Sequence, residues 1–378
     1  MAAAAITPIV MPKWGLSMAE GTVVSWLVEE GTAITVGMPI LEVETDKIAN
    51  AVEAPDPGLL RRKLAAAGEL LPVKALLGVM APPEVSDAEI DAYVAAYVVP
   101  AAGEGDEMEA GPAYLWADVD GIRVRCARRG DDGGGELPVL FLHGFGGDLD
   151  NWLFNLDAVA AAAPVIALDL PGHGQSDARL PGDATLADLA GFVLHFLDGL
   201  GVERVHVVGH SMGGAIAAQM ALAAPRRVAS LVLLATAGLG TEINTGYTEG
   251  FVAAATRREL KPVVEQLFAD PGLVSRQMLD GLLKYKRLDG VSQVLAQLNA
   301  RLFGGGRQAA QPVARLAGSG VPLTLVWGSE DRIIPAAHAA NAPAGAKVQV
   351  QGGAGHMVMM EKAGEVNALI LAQVKMAS

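Results

Sequence analysis

Apolar runs broken by glycine and proline divide the chain into two unlike parts. Over residues 6–82 the runs are short and strand-like, at 23–28, 40–45, 48–53 and 59–64. The pattern repeats at an offset of 37: Gly21 and Gly31 are echoed by Gly58 and Gly68, Val36 by Val73, and Ile40 by Leu77. Two similar sheets packed face to face account for such a repeat. Past Pro82-Pro83, Ser86-Asp87-Ala88-Glu89 is a capping box, and Ile90, Tyr93, Val94 and Tyr97 follow at helical spacing. That apolar face is free either to pack back on its own domain or to dock on a partner. Residues 98–112 read as a mobile, self-repelling acidic linker.

From Tyr114 onward strands and helices alternate. Strands are predicted at 122–127, 139–142, 165–168, 205–208, 231–235, 323–327 and 347–350. Helices are predicted at 152–162, 186–200, 215–224 and 361–374. Such alternation implies a mostly parallel sheet covered on both faces. Residues 239–318 interrupt it with helical periods (251–268 and 273–288), an insertion expected to form a lid over the strand ends. The predicted architecture is an all-β sandwich over 1–82, a short helix and linker over 83–112, and an α/β domain over 113–378 capped by 239–318.

Candidate chemistry centres on Gly209-His210-Ser211-Met212-Gly213. A Val-rich strand leads into it and an Ala-rich helix leaves it, the context of a nucleophile elbow. The serine must sit on a strained turn, so its neighbours two residues away must be small, and both are glycine. A serine hydroxyl needs a base, and the base needs a carboxylate to fix its tautomer. Past the strand at 323–327 come Glu330 and Asp331; past the strand at 347–350 comes His356. All three positions lie at strand C-termini, where open α/β sheets place their sites. His356 is the expected base and Asp331 the expected acid, with Glu330 as the alternative. The N–H groups of Phe145, in His143-Gly144-Phe145-Gly146-Gly147, and of Met212 would form an oxyanion hole. Preorganised donors of this kind contribute about 3 kcal/mol each.

Composition narrows the classes. A net charge of −14 argues against nucleic acid as partner. The charge is uneven, since residues 84–112 hold eight acids and no Lys or Arg. The single cysteine, Cys126, fits a reducing cytoplasm, and no run approaches a membrane span. No histidine pair has metal-ligand spacing, so no metal is predicted.

Met11-Pro12-Lys13-Trp14-Gly15-Leu16-Ser17-Met18, Glu20-Gly21, Glu44-Thr45-Asp46-Lys47 and Ala54-Pro55 closely resemble lipoyl domains of 2-oxo-acid-type dehydrogenase complexes, over about eighty residues. By that resemblance Lys47 carries lipoic acid in amide linkage. Ile48 departs from the family, which places a small residue after the lysine. His143 to Gly147, Asp169-Leu170-Pro171-Gly172-His173-Gly174-Gln175-Ser176-Asp177, the elbow and the Asp/His pair resemble the α/β-hydrolase superfamily across residues 113–378. His195-Phe196-Leu197-Asp198-Gly199 is one residue short of the His-x-x-x-Asp-Gly motif of ordinary lipoyl-bearing acyltransferases and falls on a predicted helix; it is read as a coincidence.

A lipoyl domain joined to an α/β-hydrolase domain resembles the acetyltransferase subunits of bacterial acetoin dehydrogenase complexes. The resemblance implies transfer of an acetyl group from the lipoyl arm to coenzyme A. It implies as partners the thiamine-diphosphate-dependent dehydrogenase subunits and dihydrolipoamide dehydrogenase. Two other readings stand beside it: a serine hydrolase tethered to a carrier domain, whose acceptor is water, and a non-catalytic scaffold.

Overall fold

The computed structural model describes residues 6–14, 18–45, 48–100, 114–130 and 135–377. Lys47 and residues 101–112 of the expected linker lie outside the described residues.

The N-terminal unit is built from eight strands: β1 (Thr7–Val10), β2 (Glu20–Trp26), β3 (Ala33–Ile34), β4 (Pro39–Glu44), β5 (Ala49–Glu53), β6 (Gly58–Lys63), β7 (Leu70–Pro72) and β8 (Leu76–Met80). They form two four-stranded antiparallel sheets, ordered β1-β8-β6-β3 and β5-β4-β2-β7. The 37-residue repeat maps one order onto the other, but neither half makes a sheet alone. Each sheet takes two strands from each half. Between the sheets the apolar positions of both halves share one core, including Ile9, Val23, Ile40, Val43, Leu60 and Leu77. The β4–β5 ladder closes at Thr45, whose N–H donates to the Ile48 carbonyl (2.9 Å) and whose Oγ1 does the same (3.0 Å).

Helix α1 (Asp87–Ala96) starts at the Ser86/Glu89 capping box as read. Of the two fates open to its apolar face, packing back is the one observed. Ile90 is fully buried against Val79 and Ala81, and Tyr97 Oη donates to the Lys74 carbonyl (2.8 Å). The compact N-terminal unit therefore extends past Pro82 to include this helix.

The second unit holds one eight-stranded sheet, ordered β16-β15-β14-β13-β11-β12-β10-β9. Its strands are β9 (Leu115–Val119), β10 (Ile122–Arg129), β11 (Val139–Leu142), β12 (Val165–Leu168), β13 (Val205–His210), β14 (Val228–Leu234), β15 (Leu323–Gly328) and β16 (Lys347–Gln351). The six from β11 to β16 pair in parallel; β10 is antiparallel to both β12 and β9. Every residue of β11, β12, β13, β14 and β15 is buried, which matches their unbroken apolar runs. The chain passes from β11 outward to β12, then back across to β13 on the other side of β11. At this reversal the loops after β11 and β13 part and leave a crevice at the strand C-termini.

Helices α2 (Leu156–Ala160), α3 (Leu186–Gly199), α4 (Met212–Ala223), α9 (Val358–Glu361) and α10 (Ala363–Ala377) accompany the sheet. The insertion between β14 and β15 contributes α5 (Thr245–Ala253), α6 (Arg257–Val264), α7 (Arg276–Lys286) and α8 (Val291–Phe303). Two predicted helices are divided. The run 251–268 breaks because Thr256 and Glu259 form a capping box that starts α6 afresh. The run 152–162 shortens because Asp148 and Asn151 cap a single 3-10 turn, Leu149–Trp152, ahead of α2.

A buried ion cluster braces the loops beneath the crevice. The Asp169 carboxylate accepts from Arg125 Nε (2.6 Å) and from the Leu149 and Gln175 N–H groups (2.8 Å each). Burial alone would lower the Arg125 pKa, but the charges of Asp169 and Asp150 outweigh it and raise it. The guanidinium is therefore a fixed cation, and the polar residues of 169–177 serve loop structure. Among the described residues no helix is long and apolar enough to cross a membrane.

Candidate active site

Ser211 follows β13 directly, with φ 52° and ψ −116°. A side-chain-bearing residue reaches this region of backbone space only under strain, the signature of a nucleophile elbow. Close approach dictates the glycines around it. A Cβ on Gly213 would fall 2.2 Å from the Leu142 carbonyl oxygen, and one on Gly144 would fall 3.0 Å from Ser211 Cβ. The loop after β11 is thus pressed against the serine by backbone contact. The Ser211 carbonyl accepts from Ala237 (3.0 Å) and from Gly214 (3.0 Å), so the turn is tied to both α4 and the segment after β14.

The acid and base loops converge from β15 and β16. His356 Nδ1 lies 2.9 Å from Asp331 Oδ2, both side chains being almost wholly buried. Because a carboxylate only accepts, Nδ1 carries the proton and Nε2 keeps a lone pair, the form a general base needs. The other carboxylate oxygen accepts from the Ile333 and Ile334 N–H groups (2.8 and 3.0 Å). Of the two candidate acids, Asp331 is the one that meets the histidine. Glu330 is exposed, and its N–H donates to the Ala354 carbonyl (2.9 Å).

Phe145 sits three residues past β11, and Met212 opens α4. Neither N–H donates to another group among the described residues. The lid closes on Phe145 from above. Its ring meets Phe251 and Phe303 edge-on, with centroids 6.2 and 6.0 Å away, and its carbonyl accepts from Tyr247 Oη (2.9 Å). Burial raises the Tyr247 pKa, keeping the phenol a proton donor. A small apolar cavity beside Met212 is lined by Ala215, Leu302 and Phe303 among others.

Three neighbours of the base are not singled out by the sequence. His210, in the variable elbow position, points its Nε2 at the His356 carbonyl (3.0 Å), and the two rings lie 4.6 Å apart. Nε2 must hold the proton, leaving a buried, unpartnered Nδ1. Burial, then the nearness of His356, pushes the His210 pKa well below the usual histidine range. Glu361 and Leu267 bond to the residues flanking His356. A second histidine closing a Val-rich, fully buried strand was a legible signal for His210; nothing in the pattern marks the other two.

The remaining histidines have structural partners. His143 accepts from the Leu170 N–H at Nε2 (2.9 Å) and donates from Nδ1 to the Gly144 carbonyl (2.8 Å), joining the oxyanion-side loop to the loop after β12. His195 is exposed on α3 and pairs with Asp120 (2.8 Å), whose hydrogen bond raises its pKa. His195 thus serves a surface ion pair. Among the described residues no group of three or more His, Cys, Asp and Glu is placed to hold a metal ion.

A strained serine, a histidine–aspartate pair and two backbone donors at the C-terminal edge of a parallel sheet define an α/β-hydrolase, here joined to a lipoyl-type sandwich. The alpha/beta hydrolase fold profile matches residues 138–363, and the biotin/lipoyl profile, described as biotin-requiring enzymes, matches residues 7–80. The chain belongs to the family of dihydrolipoyllysine-residue acetyltransferase components of acetoin cleaving systems. It is 67% identical to the member from Cupriavidus necator, over 97% of this chain and 96% of that one. It is 50% identical to the member from Pseudomonas putida, over 97% and 98%. The hydrolase part alone is similar in fold to a meta-cleavage product hydrolase from Pseudomonas fluorescens (20% identity, TM-score 0.63, covering 72% of this chain and all of that one).

Proposed function

We propose that this acetyltransferase component of an acetoin cleaving system moves an acetyl group from the dihydrolipoyl arm on Lys47 to coenzyme A. Ser211, His356 and Asp331 are the catalytic groups, with Phe145 and Met212 N–H as the oxyanion hole. The observation that carries this reading is the His356–Asp331 pair, aligned at the same sheet edge as a strained Ser211, in a chain that also holds a lipoyl-type domain.

Lipoic acid on Lys47 would supply a thiol that holds the acetyl group as a thioester. The closing of the β4–β5 ladder at Thr45 and Ile48, on either side of Asp46-Lys47, suits presentation of a lysine to a modifying enzyme. Ser211 Oγ gives its proton to His356 Nε2 and adds to the thioester carbonyl. The Phe145 and Met212 N–H groups stabilise the developing oxyanion, while Asp331 stabilises the imidazolium. As the C–S bond breaks, His356 returns its proton to the departing sulfur and Ser211 keeps the acetyl group. His356 then takes the proton of the coenzyme A thiol, the thiolate adds to the acetyl-serine carbonyl, and the Oγ–C bond breaks as His356 returns that proton to Ser211 Oγ. Covalent tethering of a carrier to its own active site raises its effective concentration to about a millimolar.

The partners proposed for the rest of the cycle are thiamine-diphosphate-dependent dehydrogenase subunits, which load the arm, and dihydrolipoamide dehydrogenase, which reoxidises it. A chain whose one cysteine is buried suits the cytoplasm.

The same constellation can use water, and that second reading is favoured by the completeness of the Ser/His/Asp set. One experiment separates them. Lipoylated protein loaded with labelled acetyl groups is followed with and without coenzyme A. Acetyl-CoA that disappears in Ser211→Ala supports the transferase with an acylated serine. Acetate formed at the same rate without coenzyme A means hydrolysis, and acetyl-CoA formed at the normal rate by Ser211→Ala overturns the serine route.

A further inference from the structure

The loop that carries His356 is bonded on both sides of the histidine to residues 267–269 of the lid. Upstream, the Gly355 N–H donates to Glu361 Oε2 (2.7 Å), and the second carboxylate oxygen, Oε1, accepts from the Ala269 N–H (2.8 Å). Downstream, the Met357 N–H donates to the Leu267 carbonyl (3.1 Å). The two segments also interlock: a Cβ on Gly355 would lie 2.6 Å from Ala269 N and 2.8 Å from the Phe268 carbonyl carbon. The lid reaches the opposite side of the site as well, through Tyr247 Oη on the Phe145 carbonyl (2.9 Å). A cover that only shielded the site would not need bonds to the base loop.

We propose that Glu361 and the lid segment 267–269 are positioning elements for His356, so that the base is in place only while the lid is closed. The inference rests on the acetyl-serine route proposed above. It supplies what that route lacks, a reason for water to lose to a thiol. Opening the lid far enough for bulk water withdraws Leu267 and Ala269 together from the residues flanking His356. Water then reaches acetyl-serine when no aligned base is there to activate it. Glu361 is the hinge of this coupling because one carboxylate holds both sides, accepting from the Gly355 N–H on one and from the Ala269 and Asp270 N–H groups of the lid on the other.

Glu361→Gln keeps the size but replaces one acceptor oxygen with a donor NH2, so at least one of these N–H groups loses its partner. The expected result is a fall in kcat for acetyl-CoA formation of about tenfold to a hundredfold, as small displacements of catalytic groups produce. KM for coenzyme A stays within about twofold and the acetate share of the products rises, since both depend on the same coupling. A folded variant with the wild-type kcat and product ratio overturns the proposal. Should the variant fail to fold, amide hydrogen exchange on the unmodified full-length protein decides instead. Coupling requires Gly355 to exchange at the same rate as Ala269 and Met357, because the three are released in one opening. Gly355 remaining protected well beyond the other two means that the lid opens without disturbing the base loop, and the proposal fails. Either failure leaves the Ser211→Ala result untouched, so it is distinct from failure of the acetyl-serine route.

Discussion

Ser211 and His356 face one crevice but are held there by different means. The serine is fixed by backbone against backbone: a positive-φ turn, Gly213 against the Leu142 carbonyl, and Gly144 against its own Cβ. All of those contacts come from the ends of buried parallel strands. The histidine loop also packs closely, Gly355 against Ala269 and Phe268, but it is set in addition by hydrogen bonds that link His356 to Asp331 and His210, Gly355 to Glu361, and Met357 to the lid carbonyl of Leu267. Steric contacts in a packed interior tolerate almost no displacement, whereas a hydrogen bond can be exchanged for water at little net cost. The nucleophile is therefore set by the sheet itself, whereas the base depends in addition on bonds made by the lid.

That contrast can be broken from either side. Ser211→Ala removes the nucleophile and leaves the base loop intact; acetyl-CoA formation should fall by more than about a thousandfold in single-turnover assays. A smaller loss would place the chemistry on direct transfer between thiols. Gly213→Ala drives a methyl group into the Leu142 carbonyl, so the elbow must distort. Urea midpoints should report a loss of about 1–3 kcal/mol, with activity lost alongside. Unchanged stability would mean that the elbow is softer than its contacts imply. On the other side, His210→Phe removes only the bond to the His356 carbonyl. Its expected signature is a kcat lowered by about tenfold, unchanged KM, and a stability cost of about 1 kcal/mol. Equal loss in kcat and stability for both substitutions would erase the distinction.

A gentler test uses acid. Burial pushes His143 down to about 4 and His173 down to about 3, and His206 down to about 4. Unfolded, each binds a proton near pH 6.5; folded, each remains neutral well below that. The unfolded state thus holds more protons between pH 6.5 and about 4, and stability must fall as pH falls through that window. Urea midpoints measured from pH 7 to 4.5 should decline steadily, and a flat profile would contradict the buried neutral state of these rings.

The rigid side was the more legible one in the sequence. Gly-x-Ser-x-Gly between a Val-rich strand and an Ala-rich helix carries its geometry in local residue types, and so does the chain order of Asp331 and His356. The choice between Glu330 and Asp331 was not local: it depended on which carboxylate the Ile333 and Ile334 N–H groups turn toward His356. The supports of the base were less visible still. Leu267 acts through its carbonyl, which every residue possesses, and Glu361 acts across a sequence gap of 92 residues to Ala269. Helix ends followed the same division. The Ser86 box was read directly, but Thr256 was hidden inside a continuous helical period and only its capping geometry reveals the break.

The interleaved sheets of the N-terminal unit bear on its cooperativity. A 37-residue half contributes two strands to each sheet, so the edges and apolar faces it needs are supplied only by the other half. Taken alone, a half would leave those edges and faces uncovered, so the two halves must fold together as one cooperative body.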